Sequence, residues 1–118
     1  MNTTAEIEIT EVAREGRTAV LRVRGRLDAG TAPALLQRCS QVQANGQNLV
    51  LNLSGVSFLG SSGVGAMLVL VEQFQEQAGA VHFAALSESA RSVVDLLDLG
   101  DYLTIHPTED EAVASLAA

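Results

Sequence analysis

Short strand-like runs alternate with amphipathic helical segments along this chain, and this alternation restricts the fold more than any other feature. The chain begins with two strand-like runs, residues 7–12 and 18–23, in which apolar residues alternate with charged ones. The turn-like residues 14–17 between them predict an antiparallel hairpin. Because the later strands alternate with helices, we predict an α/β fold: a mixed, mostly parallel β-sheet with an N-terminal hairpin and helices packed on it.

Capping and turn residues divide the rest of the chain. Strands are predicted at residues 48–53, 80–84 and 102–105, and a loop at residues 25–30. Helices are predicted from Thr31 or Ala32 to Asn45 and from a Ser- and Gly-rich loop (54–62) to Gly79. Two more are predicted, one from Ser87 to Gly100, with Leu97 in its inner stripe, and one from Thr108 onward. The predicted order is β-β-α-β-α-β-α-β-α. Since no linker or repeat interrupts it, residues 1–118 are expected to form one domain.

The composition indicates a small protein with an aliphatic core. Of the 118 residues, 47% are apolar, which is enough for one core. There is no run of about 18 apolar residues that could span a membrane, and the N-terminal residues lack the basic and apolar parts of a signal peptide. Cys39 is the single cysteine and cannot form an internal disulfide. We therefore expect a cytoplasmic protein with no membrane span.

The charge is strongly acidic but unevenly distributed. The net charge of −7 argues against nucleic acid as a partner, because phosphates are held by Lys and Arg. Residues 1–38 carry six Arg against five acidic residues, whereas residues 39–118 carry one Arg against nine acidic residues. Five of the arginines lie between positions 14 and 26. They form either a solvated hairpin face or one side of an electrostatically matched interface.

The patterns that would support catalysis are missing. The chain contains no lysine, which excludes a Walker A site and Schiff-base chemistry. His82, His106 and Cys39 are too few for a metal site. Residues 60–64 resemble a nucleophile elbow, but Val64 stands where that motif requires Gly, and the glycines do not fit a dinucleotide fingerprint. We expect no catalytic residue, metal or cofactor, and no enzyme activity.

The remaining candidate for a functional site is the loop with Ser61 and Ser62, which lie at the start of a helix directly after an apolar strand. The first N–H groups of a helix lack partners within the helix, and the helix dipole adds partial positive charge, so this position tolerates an anion. A plainer interpretation is that one serine caps the helix and Gly63 permits a tight turn.

Residues 51–65, LNLSGVSFLGSSGVG, resemble the signature of STAS domains, and specifically of bacterial anti-sigma factor antagonists. That signature is an apolar strand, a short loop and then D-S-S-G-L-G at the start of a helix. Residues 25–28, GRLD, followed by TAP at 31–33, are similar to the family's G-x-L-D loop and the helix after it. The predicted order of elements matches the family across nearly the whole chain.

This resemblance implies a switch that works by binding. The antagonist binds an anti-sigma factor that is also a serine kinase, and the sigma factor is released. The kinase then uses ATP to phosphorylate the first serine of the motif, which ends the binding, and a serine phosphatase resets the switch. By position, the phosphorylated residue is Ser61, and the resemblance places Asp28, Ser61, Ser62 and Gly63 in or near the partner-binding surface.

Two positions depart from the family pattern and leave alternatives open. Gly60 stands in place of the family's Asp, and Arg26 replaces an acid often found in the G-x-L-D loop. Both changes make the surface around Ser61 more positive. The chain is therefore either a phosphorylation-controlled antagonist or a phosphorylation-independent STAS scaffold or adaptor in a stress-signalling or transporter assembly. A small enzyme or nucleotide-binding module would need a site that the sequence does not show.

Overall fold

Five strands form one sheet in the computed structural model, which describes residues 7–12 and 16–117. Their order across the sheet is the same as their order along the chain: β1 (Ile7–Val12), β2 (Thr18–Leu27), β3 (Asn48–Leu59), β4 (Val81–Ala84) and β5 (Ile105–His106). Strand β1 pairs antiparallel with β2, and every later pair is parallel. The predicted mixed sheet with its N-terminal hairpin is confirmed, although residues 1–6 and the turn residues 14 and 15 lie outside the described part.

Four helices cover the two faces of this sheet unequally. They are α1 (Ala32–Ala44), α2 (Ser61–Glu76), α3 (Glu88–Leu96) and α4 (Glu109–Leu116), so the predicted order β-β-α-β-α-β-α-β-α is confirmed. Helices α1, α2 and α3 share the main apolar core with one face. Helix α4 packs against the other face, where Val20, Val50 and Ala112 belong to a smaller apolar cluster.

Strand β3 lies at the centre of the sheet, as its apolar sequence predicts. Leu49, Val50 and Leu51 are all fully buried, and they belong alternately to the main core and to the smaller cluster under α4. A strand covered on both faces needs apolar residues at successive positions, and this explains the continuous run instead of an alternating one.

Strands β2 and β3 both extend beyond the predicted ends. The prediction of a loop at residues 25–30 is wrong for residues 25–27, which belong to β2, and the predicted loop at 54–62 is wrong for residues 54–59, which belong to β3. The pairing shifts register at two points here, and Gly25 has a φ of +111°, a conformation that favours glycine. Such bulges break the simple alternation from which a strand is recognised in sequence.

Several smaller boundaries also differ from prediction. Strand β4 begins at Val81, and β5 comprises only Ile105–His106 instead of residues 102–105. Leu97 follows α3 and is half exposed, so its assignment to the inner stripe is wrong. Helix α2 ends at Glu76, and Ala78 rather than Gly79 takes the left-handed conformation, with a φ of 60°. Tertiary packing sets these ends, because local propensity alone is a weak constraint on them.

The predicted helix caps agree better with the structure. The Ser87 hydroxyl accepts a hydrogen bond from the Ala90 N–H, and the Thr108 hydroxyl accepts one from the Glu111 N–H. These bonds satisfy N–H groups that have no partner inside α3 and α4. At the far end of α1, Asn45 is the C-cap and Gly46 has a φ of +71°, the conformation expected after a helix.

A buried carboxylate attaches α4 to the sheet. Glu109 accepts two hydrogen bonds from Arg22 of β2, at 2.9 and 3.0 Å, and a third at 2.9 Å from the Asn52 side chain of β3. The hydrogen bond to Glu109 raises the pKa of Arg22, and the charge of Glu109 adds to that effect. One side chain thus connects three elements, with a forked geometry that suits an arginine and a carboxylate.

Replacing Glu109 by Ala should lower the free energy of unfolding by about 1.5–3 kcal/mol, because hydrogen bonds to a charged group are lost and the Asn52 amide loses its acceptor. Urea titration of the purified variant measures this. Glu111→Ala, on the same helix but exposed, is the matched control and should cost less than about 1 kcal/mol. Equal losses in the two variants would contradict the role given to Glu109.

Two histidines contact each other across β4 and β5. His82 Nδ1 and His106 Nε2 are 3.0 Å apart, and the rings stack with centroids 5.0 Å apart. A hydrogen bond between these two nitrogens holds only one proton, so at least one ring must present a bare nitrogen. Burial lowers the pKa of His82, and the charge of His106 lowers it further.

The folded protein should therefore lose stability as the pH falls below about 6.5, the ordinary pKa of histidine. Because the pKa of His82 is lower in the folded state, the unfolded chain takes up this proton first, so the stabilisation is complete above that pH and declines below it. The effect of one proton is at most about 1.4 kcal/mol per pH unit. Urea unfolding of wild type and His82→Gln between about pH 7 and 5.5 tests this, and the variant should show the smaller slope.

Candidate functional site

The two loops that the sequence singled out separately lie side by side at the carboxyl ends of β2 and β3. Leu27 and Leu59 are paired in the sheet, and the Gly60 N–H donates to the Leu27 carbonyl at 2.9 Å. Asp28 follows β2 directly, and a Cβ on Gly60 would lie 3.8 Å from the Cβ of Asp28. Because parallel strands end at the same edge, Asp28 and the start of α2 are brought onto one surface.

A network of local hydrogen bonds fixes the loop at Asp28. The Asp28 carboxylate accepts from the Gly30 N–H at 3.0 Å, while the Asp28 N–H donates to the Thr31 hydroxyl at 3.0 Å. That hydroxyl in turn donates to the Arg26 carbonyl at 2.8 Å. The Ala32 N–H, in the first turn of α1, donates to the Asp28 carbonyl at 2.9 Å. Side chain and backbone therefore define one conformation for this loop.

Ser61 and Ser62 occupy the first two positions of α2, and both are exposed. The N-cap residue is Gly60, in an extended conformation with φ −92° and ψ 179°, and no side chain caps this helix. The interpretation that one serine is the cap is therefore wrong. Glycine is tolerated at an N-cap, so the helix can begin without a serine hydroxyl. Both serine side chains face solvent at the positive end of the helix dipole.

Gly63 lies below this surface, in the contact between α2 and the ends of the two strands. A Cβ at this position would approach the Leu27 carbonyl oxygen to 2.6 Å and Leu59 Cδ1 to 2.7 Å, closer than real Cβ atoms come. Gly63 lies inside α2 and is buried, so the close approach, and not a tight turn, requires glycine. Of the residues assigned to the partner surface, Asp28, Ser61 and Ser62 are at least partly exposed, and Gly63 supports them from beneath.

An arginine and a phenylalanine complete the surface. Arg26 and Phe58 are paired across β2 and β3, and the guanidinium carbon lies 4.3 Å from the centroid of the ring. Arg26 Nε also contacts Asp28 Oδ2 at 3.3 Å. Phe58 is 41% exposed, and its ring lies against Gly60, where a Cβ would be 3.0 Å from Phe58 Cε2. The sequence analysis predicted a loop at Phe58 and assigned no role to this residue. The only signal that the sequence offered was an aromatic residue within the motif.

The described residues offer little for catalysis at this surface. They contain no group of three or more His, Cys, Asp or Glu side chains that could hold a metal ion. The two histidines bind each other on β4 and β5, whereas the serines follow β3. Cys39 is buried in the main core, and burial raises the pKa of its thiol to about 12. Among the helices of residues 7–12 and 16–117, none is long and apolar enough to cross a membrane.

The mixed five-stranded sheet, the helices on its two faces and the exposed serines where a parallel strand passes into a helix define the class of STAS-type α/β domains. Comparison with known proteins agrees with this class. The model of the STAS domain family matches residues 9–112. The chain belongs to this family.

The similar proteins are bacterial regulators. The anti-sigma F factor antagonist of Lysinibacillus sphaericus is 30% identical over 108 residues, 90% of each chain. The structure of an anti-sigma factor antagonist from Mycobacterium paratuberculosis superposes with a TM-score of 0.85 at 28% identity, and all of both chains is covered. The anti-sigma factor antagonist SpoIIAA in its unphosphorylated form gives 0.74 at 26% identity, covering 90% of this chain and 93% of that one. Its phosphorylated form gives 0.70 at 25% identity, covering 92% and 98%.

Gly63→Ala should lower the free energy of unfolding by about 1–3 kcal/mol, because the new methyl group overpacks the contact with Leu27. Gly65→Ala on the same helix is the matched control, since a Cβ there meets nothing within 4 Å. Alanine is the better helix former by up to about 1 kcal/mol, so this control should be neutral or stabilising. Chemical denaturation compares the two. If both variants lose stability equally, the tight contact is not what requires Gly63.

Proposed function

We propose that this protein is an anti-sigma factor antagonist that binds an anti-sigma factor with serine kinase activity and so releases a sigma factor. The observation that carries the proposal is the exposed Ser61 at the start of α2, beside Asp28, in a chain similar to proteins of that name. The surface is built on regular elements, β2, β3 and α2, and the hydrogen bond from Gly60 to Leu27 joins its two segments, which favours binding without rearrangement.

The proposed switch is phosphorylation of Ser61 by the bound kinase, with ATP from the kinase site. A phosphoserine adds a charge of about −1.5 to −2 and three acceptor oxygens. At the first position of α2, that charge meets backbone N–H groups and the positive end of the helix dipole. We therefore expect the phosphorylated domain to stay folded and its surface to change in charge rather than in shape.

In this proposal the phosphate weakens the binding of the partner and leaves the fold of this domain unchanged. An interface formed around Ser61 would have to bury the phosphate, and burying a charge without a matched cation costs several kcal/mol. A loss of about 4 kcal/mol weakens binding roughly 1,000-fold, so the kinase ends its own inhibition by modifying the antagonist. A serine phosphatase would restore the binding form. In this scheme the antagonist acts in the cytoplasm, needs no cofactor and performs no catalysis.

Purified wild-type protein should bind a GHKL-type serine kinase encoded in its own genome, and Ser61→Glu should weaken that binding by about two to three orders of magnitude. Isothermal titration calorimetry measures the affinities. With ATP present, mass spectrometry should find one phosphate on wild type and on Ser62→Ala, and none on Ser61→Ala.

Ser89→Glu is the control for added charge, because Ser89 is exposed in the first turn of α3, a helix that follows β4 and not β3. This variant should bind like wild type. If Ser61→Glu also binds like wild type, the phosphorylation switch is wrong, and if no kinase binds, the antagonist function is wrong.

A phosphorylation-independent STAS scaffold or adaptor is the second candidate, and Gly60 is the observation that favours it. The family's Asp would place a carboxylate next to Ser61, whereas here Phe58 lies over the glycine. If kinases recognise that carboxylate, Ser61 would remain unmodified. Intact-mass analysis of the protein isolated from its host under stress and non-stress growth separates the two, since the adaptor carries no phosphate under any condition.

A further inference from the structure

Three exposed arginines occupy alternate positions along β2 and are called the row here. They are Arg22, Arg24 and Arg26, and the neighbouring Val23 and Leu27 belong to the main core. The row is not uniform, because Glu109 of α4 holds Arg22 through two hydrogen bonds. Arg26 stands at the other end of the row, next to the loop that carries Ser61.

Arg26 is held in place before any partner arrives. The Phe58 ring supports its guanidinium at 4.3 Å, and Asp28 accepts from its Nε at 3.3 Å. A long side chain that is ordered in advance loses less conformational freedom on binding. Arginine and aromatic residues are also the types most enriched where interfaces derive their energy. The Arg26–Phe58 pair thus has the composition and the rigidity of a binding hot spot.

The Arg26 guanidinium can donate further hydrogen bonds to a partner. Within residues 7–12 and 16–117, only its Nε has a hydrogen-bond partner, which leaves the N–H groups on Nη1 and Nη2 without one there. Half of the side chain is exposed. Two parallel N–H groups in one plane match a carboxylate, which can accept both bonds. The chemistry that fits this edge is therefore an Asp or Glu side chain.

The charge of the chain supports the same occupant. Five of the seven arginines lie between positions 14 and 26, so positive charge is concentrated near Arg26 in an otherwise acidic chain. We propose that Arg26, supported by Phe58, binds a carboxylate on the anti-sigma factor and is a specificity-determining contact beside Ser61. This rests on the proposed function and adds to it the chemistry of the partner, namely an acidic residue facing Arg26.

Charge reversal at Arg26 tests the proposal, with the host serine kinase bound by wild type as the probe. Arg26→Glu should weaken binding at least about 30-fold, as expected for loss of a hot-spot contact. Arg26→Lys should lie between the two, since it keeps the charge but not the planar edge. The dependence of the association rate on salt should fall for Arg26→Glu, a change that a purely structural role would not produce.

Arg24→Glu is the matched control, an equal charge reversal at an exposed arginine two residues away on the same strand. It should change the affinity by less than about threefold. Replacing the acidic residues of the kinase surface by Arg, one at a time, should identify one whose substitution restores the binding of Arg26→Glu. Thermal unfolding of each variant ensures that folded proteins are compared.

The outcomes separate this proposal from the function on which it rests. If Ser61→Glu abolishes binding while Arg26→Glu leaves it unchanged, the antagonist function stands and the contact at Arg26 is wrong. Equal losses for Arg24→Glu and Arg26→Glu, or no rescue by any kinase substitution, also overturn the contact. If Arg26→Glu alters only the Ser61-phosphorylated form, Arg26 serves the phosphate and not the partner. If wild type binds no kinase, both proposals fall.

Discussion

The contact between the start of α2 and the ends of β2 and β3 is the constraint on which the rest of the site depends. The backbone of Gly63 comes so close to the Leu27 carbonyl that no side chain fits between them. This contact fixes the depth at which the helix begins, and the hydrogen bond from Gly60 to Leu27 fixes its position along the strands. The exposed serines are consequently held in a fixed position at the carboxyl end of β3, next to the Asp28 loop.

Stability and binding are provided by different parts of the molecule. The main core and the Glu109 network hold the helices to the sheet, and neither includes Asp28, Ser61 or Ser62. The site itself consists of short loops and exposed side chains at the end of two strands. Because its hydrogen bonds are local, a charge added at Ser61 can change recognition without disturbing the core. This division is what the proposed switch would require, since the domain would have to stay folded with and without the phosphate.

The distribution of charge gives this site a character of its own. The family signature has an acid before the first serine, whereas here Phe58 lies against Gly60 and Arg26 lies over the ring. The local field is therefore set by an arginine and an aspartate that are bound to each other. A partner meets a rigid, mixed-charge surface, which favours selection through complementary charge more than through shape alone.

The sequence by itself determined the order of elements, the mixed sheet, the helix caps at Ser87 and Thr108, and the placement of Asp28, Ser61 and Ser62 on a single surface. These follow from local periodicity, from capping chemistry or from a recognisable motif, all of which are written in neighbouring residues. Only the tertiary structure decided that β2 and β3 extend through the glycine- and serine-rich segments, that Gly60 caps α2, that Gly63 is a packing residue, and that Phe58 supports Arg26. The physical reason is that each of these depends on pairing or close approach between strands and helices distant in sequence, and such contacts override local propensity.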